Sequence, residues 1–185
     1  MGLSHGKVVH GSDNGIKAYS HAFDLNGSPP VLTANEVKIL KEMWNTVKGD
    51  ISKVGVITFV SLFETHPEVQ NVFMSFRTKN TSDLEYNHIL RAHALRVMGT
   101  VDKCIYRLDN REKLRGSDDG LGIRHQNYSV KIELHRSSIF QLMGPQFISS
   151  IKPHLENMWT EEHERAWENL FQLMCYYMKK GMCSI

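Results

Sequence analysis

The chain has 185 residues, of which 41% are hydrophobic and 23% charged, and its formal net charge is +2. This length and composition are typical of one soluble domain with a buried core. Because basic and acidic residues are interleaved, the charge pattern excludes the basic patch typical of nucleic-acid-binding proteins. The three cysteines form no CxxC pair, and no apolar run is long enough to span a membrane. We therefore expect a cytoplasmic protein with reduced thiols.

The first part of the chain has a composition of its own. Residues 1–32 are rich in Gly, Ser, His and Asn and show no sustained hydrophobic period. This predicts a flexible extension, followed by a folded domain over residues 33–185. The chain begins with Met1-Gly2, as N-myristoylated proteins do, but Gly6 stands where that motif has Ser or Thr. We therefore expect membrane contact only if Gly2 is myristoylated.

Hydrophobic residues at helical spacing begin directly after this extension. Residues 33–36 (Thr-Ala-Asn-Glu) fit a capping box at the start of the first helix. The spacing then predicts a helix at about 52–64, a short segment from 67, and further helices at about 83–106, 121–126, 134–152 and 160–181. Gly144-Pro145 falls inside one of them, where we expect a kink or a later helix start. No run alternates well enough for a strand, so the chain is predicted to be all-α.

Two of the ten histidines stand out by their positions. His93 lies on the apolar face of the long helix predicted over 83–106, where a histidine is either a hydrogen-bonded core residue or a ligand. His125 lies in a short element between loops, and its spacing alone leaves the same two readings open. Neither belongs to a zinc motif, because the sequence contains no HExxH and no CxxC. Cys104 has no evident partner that would orient it as a nucleophile.

Five motifs follow one another as they do in animal intracellular globins, and the resemblance covers residues 33–181. They are Trp44 late in the first helix, the stretch Phe63-Glu64-Thr65-His66-Pro67-Glu68 with Phe73 and Phe76 after it, His93 with Val97, Leu121 with His125, and Trp159, Trp167 and Phe171 of the last helix. One such motif is weak support, whereas five in the same order are specific. The chain resembles neuroglobin-like members and the invertebrate or nematode-type globins.

The resemblance implies a globin fold, with about eight helices around one heme b. It also implies that His125 is the proximal ligand of the heme iron and that His93 is the distal histidine. The residues that would wall the heme pocket are Phe59, Phe73, Phe76, Val97, Leu121 and Val130. Arg96 would either bind a heme propionate or remain a solvated arginine, and the sequence leaves both roles open.

Reversible O₂ binding for storage or transport is the function that the resemblance implies, with CO and NO as further ligands. The pair Phe59 and His93 is also similar to that of neuroglobins, in which the distal histidine binds the iron as a sixth ligand. Such a bis-histidyl heme would suit redox or electron transfer, gas sensing or NO chemistry. We expect no enzymatic activity beyond weak NO dioxygenase or nitrite reductase turnover, which would need an external electron donor. A helical interaction domain without heme is the remaining alternative.

Overall fold

The computed structural model describes residues 28–73, 75–110, 112–114 and 136–183. Over these residues the chain forms helices and turns without a strand, which confirms the predicted all-α class. The helices are α1 (Ala34–Val47), α2 (Ile51–Thr65), α3 (Pro67–Gln70), α4 (Thr81–Leu84), α5 (His88–Tyr106), α6 (Arg136–Ile151) and α7 (Glu161–Cys183), with 3₁₀ segments at Lys48–Asp50 and Lys152–Met158. None of the described helices is long and apolar enough to cross a membrane. The division into an extension (1–32) and a domain (33–185) stays a prediction.

The predicted capping box at the start of α1 is confirmed. The Thr33 hydroxyl accepts a hydrogen bond from the backbone N–H of Glu36 at 3.2 Å, and the Glu36 carboxylate accepts one from the backbone N–H of Thr33 at 2.7 Å. The same carboxylate accepts a hydrogen bond from the Asn169 amide of α7 at 2.6 Å. Burial by itself would raise the pKa of Glu36, but these hydrogen bonds and the charge of Arg165 outweigh it and hold the pKa below its usual value of 4.5.

This carboxylate makes the stability of the protein depend on pH. Because the pKa of Glu36 is lowered by folding, its charge stabilises the fold above pH 4.5, and this contribution is lost as the pH falls through the folded-state pKa. We expect Glu36→Gln to lower the free energy of unfolding by about 1 kcal/mol near neutral pH, because it weakens the cap. The difference in the free energy of unfolding between the variant and the unaltered protein should vanish at acidic pH. Urea unfolding from neutral pH to below pH 4.5 measures this difference. The exposed Glu64→Gln is the control, and a deficit that does not depend on pH would contradict the assignment.

The crossing of α2 and α5 brings the two helices that carry the site close together. A Cβ atom at Gly55 would lie 2.9 Å from Cγ of Met98 and 3.2 Å from Cβ of Ala94. A side chain at this position would force Met98 to shift, so glycine favours this close approach. Phe59 follows Gly55 by four residues on the same face of α2, and His93 directly precedes Ala94 on α5. The close crossing therefore sets the distance between Phe59 and His93.

Another part of the hydrophobic core lies between α1, α6 and α7. Trp44 is buried, and its ring centroid lies 6.3 Å from that of Trp167 and 6.4 Å from that of Phe147. The indole N–H of Trp44 donates to Oδ1 of Asp102 on α5 at 2.6 Å. Lys41 of α1 forms an ion pair with Asp109, just beyond the end of α5. The first helix thus fixes the C-terminal half of α5.

The structure corrects the predicted helix boundaries at two points. The helix predicted over 83–106 is divided into α4 and α5, because the Asn87 side chain accepts hydrogen bonds from the backbone N–H groups of Ile89 and Leu90 and so begins a new helix. At Pro145, α6 continues through the proline and begins before it, not after it. The fully buried Phe147 and the close contact of Gly144 with the Phe171 ring hold this helix in the core, which offsets the lost hydrogen bond.

Candidate functional site

Four phenylalanines and one histidine meet where α2, α5 and the turn after α3 come together. We call Phe59, Phe63, Phe73, Phe76 and His93 the aromatic cage. The ring centroid of His93 lies 5.0 Å from that of Phe59 and 5.6 Å from that of Phe73, and both contacts are edge-on. The imidazole is therefore held between one ring on a helix and one ring on a turn.

The phenyl rings of the cage also contact one another. The centroid of Phe63 lies 5.3 Å from that of Phe73 and 6.2 Å from that of Phe76, and the centroids of Phe59 and Phe63 are 5.9 Å apart. The Phe63–Phe73 pair is edge-to-face, and such a pair contributes about 0.5–1.5 kcal/mol beyond the area that it buries. Phe59, Phe63 and Phe76 are at most 2% exposed, whereas Phe73 and His93 are half-buried. Phe73 and His93 therefore form the open edge of the cage.

The two other candidate residues on α5 differ in exposure. Val97 is half-buried, packs against the core and follows His93 by one helical turn, so it lies on the same face of α5 as His93. Arg96 is exposed. This exposure is compatible with both predicted roles, binding of a heme propionate and solvation by water.

The residues predicted for the proximal side of the heme lie in another part of the chain. His125, Leu121 and Val130 are outside the described residues, as is the short helix predicted over 121–126. Their roles remain predictions that rest on the resemblance. The structure therefore describes one wall of the predicted heme pocket.

Two residues of this region were not identified from the sequence as site residues. Phe63 was noted only as part of a motif, although its spacing of four residues from Phe59 on one helix could have placed both rings on the same face. Gln70 is buried at the end of α3, and its side-chain amide donates to the carbonyl oxygens of Phe76 and Lys79 at 2.7 and 2.8 Å. A glutamine in a short polar stretch gives no sequence signal for such a role.

Other chemistries find little support among the described residues. Over that part of the chain, no group of three or more His, Cys, Asp or Glu side chains is arranged to hold a metal ion. Cys104 is only 2% exposed, which denies a substrate access to its sulfur. Burial raises the pKa of the Cys175 thiol to about 12, despite the opposing charge of Lys179, so this thiol stays protonated at neutral pH.

A surface cleft of about 280 Å³ lies at the start of α2, away from the cage. Its lining includes Asp50, Lys53, Glu85 and Arg91, two charges of each sign, and none of the cage residues. This volume falls slightly below the usual range of small-molecule sites, about 300–1,000 Å³. The balanced charges select no ligand class, so the aromatic cage is the stronger candidate site.

Comparison with known proteins gives one family. The globin family model matches residues 57–178. Among the relatives, cytoglobin-1 of Oryzias latipes is 27% identical over 153 residues, which are 80% of this chain and 82% of that protein. Neuroglobin of Tetraodon nigroviridis is 24% identical over 151 residues, covering 81% and 92% of the two chains.

A solved structure agrees with this result at the level of the fold. The hexacoordinated heme protein from an anhydrobiotic tardigrade superimposes with a TM-score of 0.74 at 21% identity, covering 82% of this chain and 95% of that one. The resemblance to animal globins predicted from the sequence is thereby confirmed. The aromatic cage with His93 lies within the matched residues. The chain belongs to the globin family, whose members bind heme.

Proposed function

We propose that this chain binds one heme b, with His125 as the proximal ligand of the iron and His93 on the distal side, and that it binds O₂ reversibly for storage or transport. The observation that carries this proposal is the half-buried imidazole of His93, held edge-on between Phe59 and Phe73 at the open edge of an apolar cage. A single polar group on an otherwise apolar wall is typical of a cofactor site.

The cage has the composition that a heme pocket needs. Its phenyl rings, together with Val97, form an apolar surface that would pack against the porphyrin face and keep water away from it. The sequence has no CxxCH motif, by which c-type heme is attached covalently, and this favours heme b. Leu121 and Val130 would complete the wall around His125.

When bound, heme iron that is held by an imidazole supplies reversible binding of a diatomic gas. The side chains determine how well each gas is held. His93 can donate its ring N–H to O₂, which is more polar in the bound state than CO, while the surrounding phenyl rings strengthen that hydrogen bond by excluding water. O₂ is therefore the proposed ligand, with CO and NO as competitors.

Direct binding of His93 to the iron is the second candidate. The contacts with Phe59 and Phe73 orient the His93 ring, and an oriented imidazole is as suitable for ligation as for hydrogen bonding. The tardigrade protein of similar fold is described as hexacoordinated, which gives a precedent. In this state the protein would act in redox or electron transfer, gas sensing or NO chemistry. Any weak NO dioxygenase or nitrite reductase turnover would draw on an external electron donor.

A reducing, cytoplasmic location agrees with either function. Cys104 and Cys175 are buried and form no disulfide among the described residues, and buried cysteines outside disulfides are typical of proteins that are kept in a reducing compartment.

An absorption spectrum of the purified protein tests this proposal. We expect a Soret band, and its absence would refute heme binding by this chain. In the ferrous state without added ligand, one broad visible band is expected for an iron bound by His125 alone. Two sharp, split bands are expected if His93 is the sixth ligand. The spectrum therefore tests heme binding and also decides between the two candidates.

A further inference from the structure

The turn between α3 and α4 carries two of the cage rings, Phe73 and Phe76, and most of its described residues are exposed. Its backbone hydrogen bonds are short-range, for example from the N–H of Phe73 to the carbonyl of Gln70 and from the N–H of Phe76 to the carbonyl of Phe73, at 3.0 and 2.8 Å. Exposed segments with few buried contacts open at a lower free energy than packed helices. This turn is therefore the wall of the cage that can move.

Two side chains tie this turn together, and only one of them is buried: the exposed Arg77 donates from Nε to the carbonyl of Asn71 at 3.0 Å. The amide of Gln70 is buried and donates one hydrogen to the carbonyl of Phe76 and the other to the carbonyl of Lys79. Both partners are acceptors, so only the NH₂ group of the amide can make these contacts, and both of its hydrogens are used. Gln70 thus connects the end of α3 to two points further along the turn.

We propose that Gln70 is a positioning residue: its amide clamps the turn and thereby governs how readily an external ligand passes His93. Movement of the His93 imidazole toward Phe59 or Phe73 requires that ring to make room. Phe59 is fully buried on a helix, whereas Phe73 is half-buried on the turn that Gln70 holds. The clamp rests on the proposed function of the site and acts in the same way whether His93 contacts O₂ or the iron.

Gln70→Leu tests the clamp, because leucine fills a similar volume without a donor. We expect two changes, each on the order of tenfold, since two buried hydrogen bonds are lost. Backbone amides of residues 73–80 should exchange hydrogen faster, as measured by mass spectrometry on the holoprotein. Carbon monoxide should bind the ferrous protein faster in stopped-flow mixing. Gln70→Met, which is unbranched and flexible, serves the same purpose if the leucine variant does not fold.

Gln146→Leu is the matched control. Gln146 is also a buried glutamine, and its side-chain oxygen accepts a hydrogen bond from the Ser61 hydroxyl at 2.7 Å, away from the turn. This variant should lose comparable stability, with both rates within about twofold of the unaltered protein.

Faster exchange and faster CO binding in the Gln70 variant alone support the clamp. Unchanged exchange in residues 73–80, or faster exchange with unchanged CO binding, overturns it, and so does an equal effect of Gln146→Leu. These outcomes leave the proposed heme function intact, because the variants still show a Soret band. A missing Soret band in the unaltered protein refutes the proposed function and the gating of ligand together.

Discussion

Replacing His125 with glycine is expected to weaken heme binding by more than about 100-fold, because even loss of a residue that only supports a metal ligand costs roughly 10- to 100-fold in metal affinity. Glycine removes the imidazole and leaves a space of similar size. Free imidazole added to the buffer should fill that space, bind the iron and restore the original spectrum. The measurement is the rate at which heme passes from the protein to an excess of an apoprotein acceptor.

Two comparisons make this result specific to His125. His88→Gly removes an exposed histidine at the start of α5 and should leave heme loss unchanged. If His93 is a sixth ligand, some heme should stay bound to His125→Gly through His93 alone, with an altered spectrum. Heme retention and a spectrum equal to those of the unaltered protein would show that His125 does not bind the iron.

Replacing His93 with leucine should change the ligand chemistry and leave the protein folded. Leucine retains apolar contact with Phe59 and Phe73 but has no donor and cannot bind iron. If His93 donates a hydrogen bond to O₂, that bond is worth about 1.5–3 kcal/mol, and O₂ affinity should fall roughly 10- to 150-fold. The affinity for CO, which is less polar, should fall much less.

If His93 is instead the sixth ligand, the same variant gives a different result. The two split bands of the ferrous protein should become one broad band, and external ligands should bind faster because no internal ligand competes with them. The ratio of O₂ to CO affinity and the ferrous spectrum together distinguish the two states. Unchanged spectra and unchanged O₂ affinity would show that His93 takes part in neither.

The sequence predicted those features that depend on local pattern. Thr33 and Glu36 stand three residues apart, as a capping box requires, and the structure has this cap. The spacing of Phe59, Phe73 and His93 agrees with a known order of motifs, and the structure brings their rings within about 6 Å of one another. The local capping pattern and the known order of globin motifs were sufficient to predict these two features.

The sequence did not predict features that depend on competition between several possible helix starts or on tertiary contacts. Several polar residues between 77 and 88 are able to begin a helix, and only the folded chain shows that Asn87 does so. The cost of Pro145 inside α6 is offset by packing against α7, which a helical pattern does not contain. Gln70 is buried and doubly bonded only because the turn folds back over it.

The close crossing at Gly55 has a consequence for the size of ligand that the site admits. Because a Cβ at this position would already collide with Met98, α2 and α5 have no room to approach further, and the buried contacts around them resist separation. The wall that carries Phe59 and His93 is therefore stiff, and with the proposed role of Gln70 the turn that carries Phe73 is the part of the cage that yields. A bulkier gas or a small organic ligand would need extra space, and displacement of the turn would provide it. The residues of this turn would therefore set the size of ligand that the site accepts. They could change in evolution without disturbing the packing of the helices.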